Sequence, residues 1–167
     1  MKSLLIIGAG SFSTEVDEMA RLLGYDDIAF LDDNSSTACS FPVIGSMNDI
    51  KTMRSQYNTA IVALGNNSQR IKYHKLLKKY DFIIPTLVHP TAYVSLDAEL
   101  APGCILRAKT VVGRYAKLGE ACILNVGALI DHHVIIQEGC HILMGAVVRN
   151  MVTVEALTRV ESLTVIQ

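Results

Sequence analysis

The sequence predicts two units of different class. Residues 1–85 read as an α/β unit, a small parallel sheet covered by helices, and residues 86–167 as an all-β parallel β-helix. Two observations carry this. The second half keeps a strict six-residue beat of bulky and small side chains. The first half alternates short aliphatic runs with helical patterns, and its polar loops follow the runs.

The beat starts at Val88. Every sixth residue from there is a branched aliphatic: Val88, Val94, Leu100, Leu106, Val112, Leu118, Leu124, Ile130, Ile136, Ile142, Val148, Val154, Val160 and Ile166. The fifth place of each six is small, as at Ala98, Cys104, Ala116, Cys122, Ala128, Cys140 and Ala146. No helical period and no hairpin alternation fits a strict six. Three sixes make one triangular coil, so residues eighteen apart stack at about 4.8 Å. Cys104, Cys122 and Cys140 then form one internal stack, and Leu106, Leu124, Ile142 and Val160 another. The first place of each six fills the interior, and the fifth sits near a corner.

In the first half, Ser3–Ile7 reads as a buried strand, followed by Gly8-Ala9-Gly10 and a helix stopped by Gly24. Residues 28–31 read as a second strand ending in Asp32-Asp33, and residues 34–40 as a polar loop. Residues 49–57 suggest a weak helix, and residues 60–64 a third strand ending in Gly65-Asn66-Asn67. Residues 69–79 read as a helix with Ile71, Leu76 and Leu77 inward. Residues 82–84 read as a fourth strand, closed by Pro85. The Gly8–Ser13, Asp32-Asp33 and Gly65–Asn67 loops all follow strands, where parallel sheets bind ligands. A glycine pair before a helix lets backbone N–H groups reach a phosphate. An acidic pair about twenty residues later suits hydroxyl or base donors. The dinucleotide pattern wants glycine where Ser13 stands. A tight turn at Gly8 and Gly10, and plain solvation of Asp32 and Asp33, are the alternatives.

Fifteen basic residues against sixteen acidic ones give a formal net charge of −1, which argues against nucleic-acid or anionic-membrane partners. The four cysteines have no disulfide or zinc spacing. Three follow the coil period and Cys39 is alone, which suggests a reducing compartment. The apolar run from Leu4 to Ile7 is too short for a signal sequence or a membrane span.

LLIIGAG (Leu4–Gly10), FLDD (Phe30–Asp33), LGNN (Leu64–Asn67), VHPTA (Val88–Ala92) and LNVGALIDHHVIIQEGCHILMGA (Leu124–Ala146) together resemble one family. It is the sialic acid and bacillosamine-precursor group of sugar O- and N-acetyltransferases, which are hexapeptide-repeat acyltransferases. The resemblance implies a Rossmann-like N-terminal unit that holds a UDP-linked amino sugar or the free acceptor sugar. It also implies a left-handed coil that binds acetyl-CoA and a homotrimer with sites between neighbouring coils; no metal is expected, and a cytoplasmic location is expected because acetyl-CoA and nucleotide sugars are there. Carried over, Gly8, Gly10 and Ser11 match the phosphate-side loop, Asp32 and Asp33 the acidic pair, and Gly65 and Asn66 the third substrate loop. His132 matches the general base and His141 a histidine touching acetyl-CoA. Apart from the resemblance, the oxyanion formed in acetyl transfer needs donors, and Gly145 is a candidate backbone donor to it at the acetyl-CoA.

Acetyl transfer needs a base for the acceptor amine or hydroxyl, and histidine suits neutral pH. The third place in its six puts His132 towards a corner; the alternative is an exposed surface histidine. A zinc site at His132, His133 and His141 is disfavoured, because adjacent histidines on an extended chain point to different sides. His74 reads as a helix-surface residue.

The chain departs from the family pattern in three places. His133 stands where the family carries Asp or Glu, a base-modulating position; Asp131, just before the base, is the substitute on offer, though alternation gives no reason to expect it. Ser11-Phe12-Ser13 replaces a glycine loop, with Ser13 still able to donate to phosphate. The repeat ends at Gln167, one to two coils short of what the resemblance implies, so a shortened or truncated member with weakened CoA binding is expected. An impaired, trimeric sugar-nucleotide-binding paralogue and a serine-like O-acetyltransferase are the competing readings.

Overall fold

The computed structural model describes residues 2–34 and 42–167. Cys39 and most of the loop expected over 34–40 lie outside them. The chain forms two compact units, Met1–Pro85 and Thr86–Gln167. No helix among the described residues is long and apolar enough to cross a membrane.

The first unit is built on a four-stranded parallel sheet. Strands β1 (Ser3–Ile7), β2 (Asp27–Leu31), β3 (Val43–Gly45) and β4 (Ala60–Val62) lie in the order β3-β2-β1-β4. β1 is central, and Leu4, Leu5, Ile6 and Ile7 are all fully buried. A strand covered on both faces reads as a continuous aliphatic run rather than an alternation. Helix α1 (Ser11–Leu22) buries Ser13, Val16, Met19 and Ala20, and Gly24 ends it at φ +81°. Helix α3 (Asn67–Lys79) starts from Asn66, whose side chain accepts the Gln69 N–H.

Four local expectations change. β3 is an edge strand that three residues ending in glycine do not announce in sequence. The weak helix is a 3-10 turn, Met47–Asp49, running into α2, Ile50–Met53, and Ser46 and Asp49 form a capping box at its start. The expected fourth strand reduces to one bridge between Thr59 and Ile83, because the chain leaves the sheet before Pro85, which has no N–H to give. His74 is not a surface residue: it is 1% exposed, and Arg70 is fully buried. Arg70, His74 and Leu77 recur at i, i+4 and i+7, an inward face disguised by two polar residue types.

The second unit is three parallel sheets wound in turn. The first contains Leu87–Val88, Ile105–Leu106, Ile123–Leu124, His141–Ile142 and Arg159–Val160. The second contains Tyr93–Val94, Val111–Val112, Leu129–Ile130, Val147–Val148 and Val165–Ile166. The third contains Glu99–Leu100, Lys117–Leu118, Ile135–Ile136 and Thr153–Val154. Partners are eighteen residues apart throughout, as in Leu106↔Leu124 and Ile142↔Val160. The first place of each six points inward and the sixth outward. The interior is the apolar column of Leu106, Val112, Leu118, Leu124, Ile130, Ile136 and Ile142, with the cysteine stack beside it.

Between strands the chain turns a corner, and from Gly103 onward the fourth place of each six takes a left-handed backbone. Lys109, Tyr115, Ala121, His133, Met151, Leu157 and Leu163 all have φ between 54° and 63°, and Gly103, Gly127, Gly139 and Gly145 occupy the same place. Side chains from the third and fourth places therefore project together from one corner.

Candidate active site

In the first unit, three loops converge beyond the carboxyl ends of β1, β2 and β4. Gly8 has φ +107°, and a β-carbon there would stand 2.7 Å from Leu64 Cδ2 and 3.1 Å from the Ala63 carbonyl oxygen. Only glycine lets the first loop cross so close to the third. Gly10 is exposed and caps α1 without a side chain of its own, and Ser11 is exposed beside it.

Two side chains tie the loops. Asp32 Oδ2 accepts the Ala9 N–H at 2.6 Å, and its Oδ1 accepts the Asn34 N–H at 2.8 Å. Ser13 is fully buried, and its hydroxyl donates to the Gly8 carbonyl at 2.8 Å, so it packs the turn rather than reaching a phosphate. Asp33 is exposed, and its Oδ1 accepts the Met47 N–H at 2.9 Å. The expected acidic pair is thus split: Asp32 clamps two loops, and Asp33 faces solvent. Gly65 and Asn66 are exposed on the third loop. Beneath them the buried Arg70 donates from Nη1 to the Leu64 carbonyl at 2.9 Å and from Nη2 to Asn67 Oδ1 at 2.8 Å. Sequence reading missed Arg70 because a charged residue on an amphipathic helix is ordinarily read as solvated.

In the second unit, His132 and His133 form the third and fourth places of the corner between the second and third sheets. Both are exposed. Their rings do not diverge as an extended chain would require. The left-handed φ of 59° at His133 brings the two Nδ1 atoms to 3.0 Å, with ring planes at 88°. Asp131 spends its carboxylate on the His132 backbone N–H at 2.7 Å, so it does not reach the imidazole. Among the described residues, no group of three or more His, Cys, Asp or Glu side chains is placed to hold a metal ion.

One coil earlier, the same corner carries Arg114 and Tyr115. The Tyr115 ring lies 4.9 Å from that of His133, centroid to centroid. Arg114 Nη2 donates to the Tyr115 hydroxyl at 3.2 Å, and Arg114 Nε donates to Asp97 Oδ2 at 2.7 Å. A groove of about 370 Å³ on the third-sheet side is lined by Tyr115, Lys117, His133 and Ile135. On the second-sheet side a groove of about 440 Å³ is lined by Val111, Gly113, Leu129, Ile130, Asp131 and Val147. The histidine corner is the ridge between the two. Subtracting eighteen from 132 and 133 finds Arg114 and Tyr115 in the sequence.

His141 and Gly145 lie elsewhere on the prism. His141 is a buried residue of the first sheet, in register with Ile123 and Arg159. Gly145 turns the corner between the first and second sheets. Its N–H donates to the Val126 carbonyl at 3.0 Å, and a β-carbon on it would meet Leu163 Cδ2 at 2.8 Å. The expected donor role of Gly145 is therefore corrected: the coil ladder already takes that N–H. Within one chain His132 occupies the edge opposite the sheet that carries His141.

Residues 3–77 match the family described as the PglD N-terminal domain. The acetyltransferase domain of PglB from Neisseria gonorrhoeae FA1090 is 32% identical, with a TM-score of 0.80, and the alignment covers 100% of this chain and 92% of that one. The same domain in complex with acetyl coenzyme A is 31% identical over 91% of this chain and 84% of that one, with a TM-score of 0.83. GDP-perosamine N-acetyl transferase from Caulobacter crescentus, a histidine-to-alanine mutant in complex with CoA and GDP-perosamine, is 25% identical. It covers 100% of this chain and 89% of that chain, with a TM-score of 0.88. No curated protein matches this chain. The chain belongs to the hexapeptide-repeat sugar acetyltransferases.

Proposed function

We propose that this protein transfers acetyl from acetyl-CoA to an amino group of a nucleotide-linked sugar, with His132 as general base. The carrying observation is the exposed His132 imidazole, held by one ring nitrogen on the ridge between two grooves. The acceptor amine attacks the thioester carbon, the C–N bond forms and the C–S bond breaks. His132 takes the amine proton and passes it to the departing thiolate. Histidine does this near neutral pH because its ordinary pKa lies close by.

On this reading the first unit is Rossmann-like and holds the nucleotide. Gly8, Gly10 and Ser11 carry the phosphates at the start of α1. Asp33 meets ribose or base, with Asp32 setting the loop, and Gly65 and Asn66 line the third side. The coil is left-handed, His141 contacts acetyl-CoA, and Gly145 lines that site without donating its N–H. Because His141 and His132 lie on opposed parts of one prism, a complete site takes residues from two chains. A homotrimer packed through the second sheet supplies this, and that sheet shows Tyr93, Leu129 and Val165 exposed. The supply of acetyl-CoA and nucleotide sugars places the protein in the cytoplasm.

Acetyl-CoA turnover against a panel of UDP- and GDP-linked amino sugars tests the reading, with His132→Ala as control. Turnover on one sugar, lost by at least a hundredfold in the variant, is expected. No turnover on any amino sugar, together with retained nucleotide-sugar binding, favours the second reading, a non-catalytic sugar-nucleotide-binding paralogue. His133 in the carboxylate position is the observation behind that one.

A further inference from the structure

We propose that His133 does for His132 what a carboxylate does in a histidine–carboxylate pair: as a neutral imidazole it accepts the His132 Nδ1–H on its own Nδ1. The inference rests on the reading of His132 as general base. His133 is a positioning residue, since it acts through His132.

The two Nδ1 atoms stand 3.0 Å apart. One hydrogen fits between them, so one ring donates and the other accepts. With Nδ1 engaged, the only His132 nitrogen left to take a proton from an acceptor is Nε2. Nε2 has a lone pair only in the tautomer that carries hydrogen on Nδ1. His132 is then the donor, and His133 accepts on Nδ1 while carrying its own hydrogen on Nε2. When Nε2 takes the amine proton, the His132 imidazolium keeps its Nδ1–H on a neutral partner. When Nε2 returns that proton to the thiolate, the pair is back in its starting state.

The surroundings hold His133 to this task. The left-handed corner turns its ring towards His132. The Tyr115 ring backs it, Arg114 fixes the Tyr115 hydroxyl, and Asp97 fixes Arg114. The titratable and charged groups around the pair are these three, Asp131 on the His132 amide, and Lys117, which Glu99 holds at 2.9 Å. Arg149 follows Asp131 one coil on, and the Met151 amide there donates to the His132 carbonyl. No carboxylate in this set is bonded to either imidazole. A neutral acceptor stabilises the imidazolium less than a carboxylate does. It also fails when it carries hydrogen on Nδ1, because it can then no longer accept from His132.

The test uses the full chain. Nitrogen-15 NMR of the imidazoles at pH 8 reads the tautomers without any variant: hydrogen on Nδ1 of His132 and on Nε2 of His133 is expected. His133→Phe keeps a ring against Tyr115 but removes the acceptor; kcat should fall by about 10- to 100-fold with the acetyl-CoA KM little changed. His133→Asn keeps an acceptor that does not titrate; it should hold most of the activity at pH 8 and make the acid limb of kcat/KM shallower. The same tautomer on both rings, or His133→Phe with native kcat and native pH profile, would overturn the inference. His132→Ala separates the two proposals. Full activity there removes the general base itself, whereas an inactive His132→Ala beside an unaffected His133→Phe removes only the role of His133.

Discussion

A β-carbon on Gly113 would stand 2.8 Å from the backbone nitrogen of His132 and 2.9 Å from the carbonyl carbon of Asp131. The glycine of one coil thus sets the height of the peptide that carries the proposed base in the next. Both contacts are to backbone, which cannot swing aside.

Gly113→Ala should therefore cost activity beyond its cost in stability. Overpacking of this kind costs about 1–3 kcal/mol, and a displacement near 1 Å at a catalytic group lowers turnover about a hundredfold. Gly119→Ala is the matched control. Its β-carbon would meet the Glu138 nitrogen at 2.6 Å, on a coil edge away from the histidines. Urea melts should move alike for the two variants, and kcat should fall only for Gly113→Ala. Equal kcat losses would mean that coil strain, not His132 placement, is being measured.

Arg70 gives a prediction for the first unit. Its guanidinium satisfies the Leu64 carbonyl and the Asn67 side chain from a fully buried position. Arg70→Met removes these donors from two partly buried acceptors, at about 1 kcal/mol for each, the low end of the cost of an unsatisfied buried group. The Gly65–Asn67 loop loosens with it. The nucleotide-sugar KM should rise by about tenfold or more while the acetyl-CoA KM stays put. A parallel rise in both would place the damage in the whole chain rather than in this loop.

The corners offer a stabilising change. Met151 holds φ 63° and is 71% exposed. A left-handed backbone costs an L-residue roughly 1–2 kcal/mol, while glycine costs about 0.5–1 kcal/mol in backbone entropy. Met151→Gly should raise stability by up to about 1 kcal/mol, read from the urea midpoint, and Met151→Ala should not. A lower midpoint for the glycine variant would show that the Met151 side chain itself contributes packing there.

Much of this was legible in sequence because a wound coil is nearly one-dimensional. Each six decides its own inside and outside, so Leu106, Leu124 and Ile142 could be stacked by arithmetic. The same arithmetic places Tyr115 under His133. It does not say that the fourth place of each corner is left-handed, and without that the two histidines point apart on paper. The destination of a backbone amide is equally hidden. The Gly145 N–H looks available in sequence and is taken by Val126 in the fold. In the first unit β1 announced itself by four consecutive buried aliphatics. β3 did not, because an edge strand of three residues carries no period. Arg70 and His74 failed for a different reason: they are polar types on a buried face, and Arg70 is accommodated there by the Leu64 carbonyl and the Asn67 side chain that accept from it.

The cysteine stack yields a pH dependence. Cys104, Cys122 and Cys140 are buried one above another, and the Cys122 thiol donates to the Gln137 carbonyl at 3.1 Å. The neighbouring Cys104 thiol is the largest influence and raises its pKa. Burial adds to it against an opposing contact from Cys140, and the group is pushed up to about 12. A free thiol in the unfolded chain titrates near ~8.5. Between these values the folded chain keeps a proton that the unfolded chain has released, so stability is full below the lower value and falls as pH rises through the window. Urea melts at pH 7, 9 and 10 should show this decline, and it should be shallower in Cys122→Ala, which is less stable at pH 7 but has no thiol there to titrate. Native protein at pH 8 should also resist a thiol reagent at all three stacked cysteines until it is unfolded, because the thiolate is the reacting species. Rapid modification of Cys122 in the folded chain, or an unchanged slope in Cys122→Ala, would contradict the assignment.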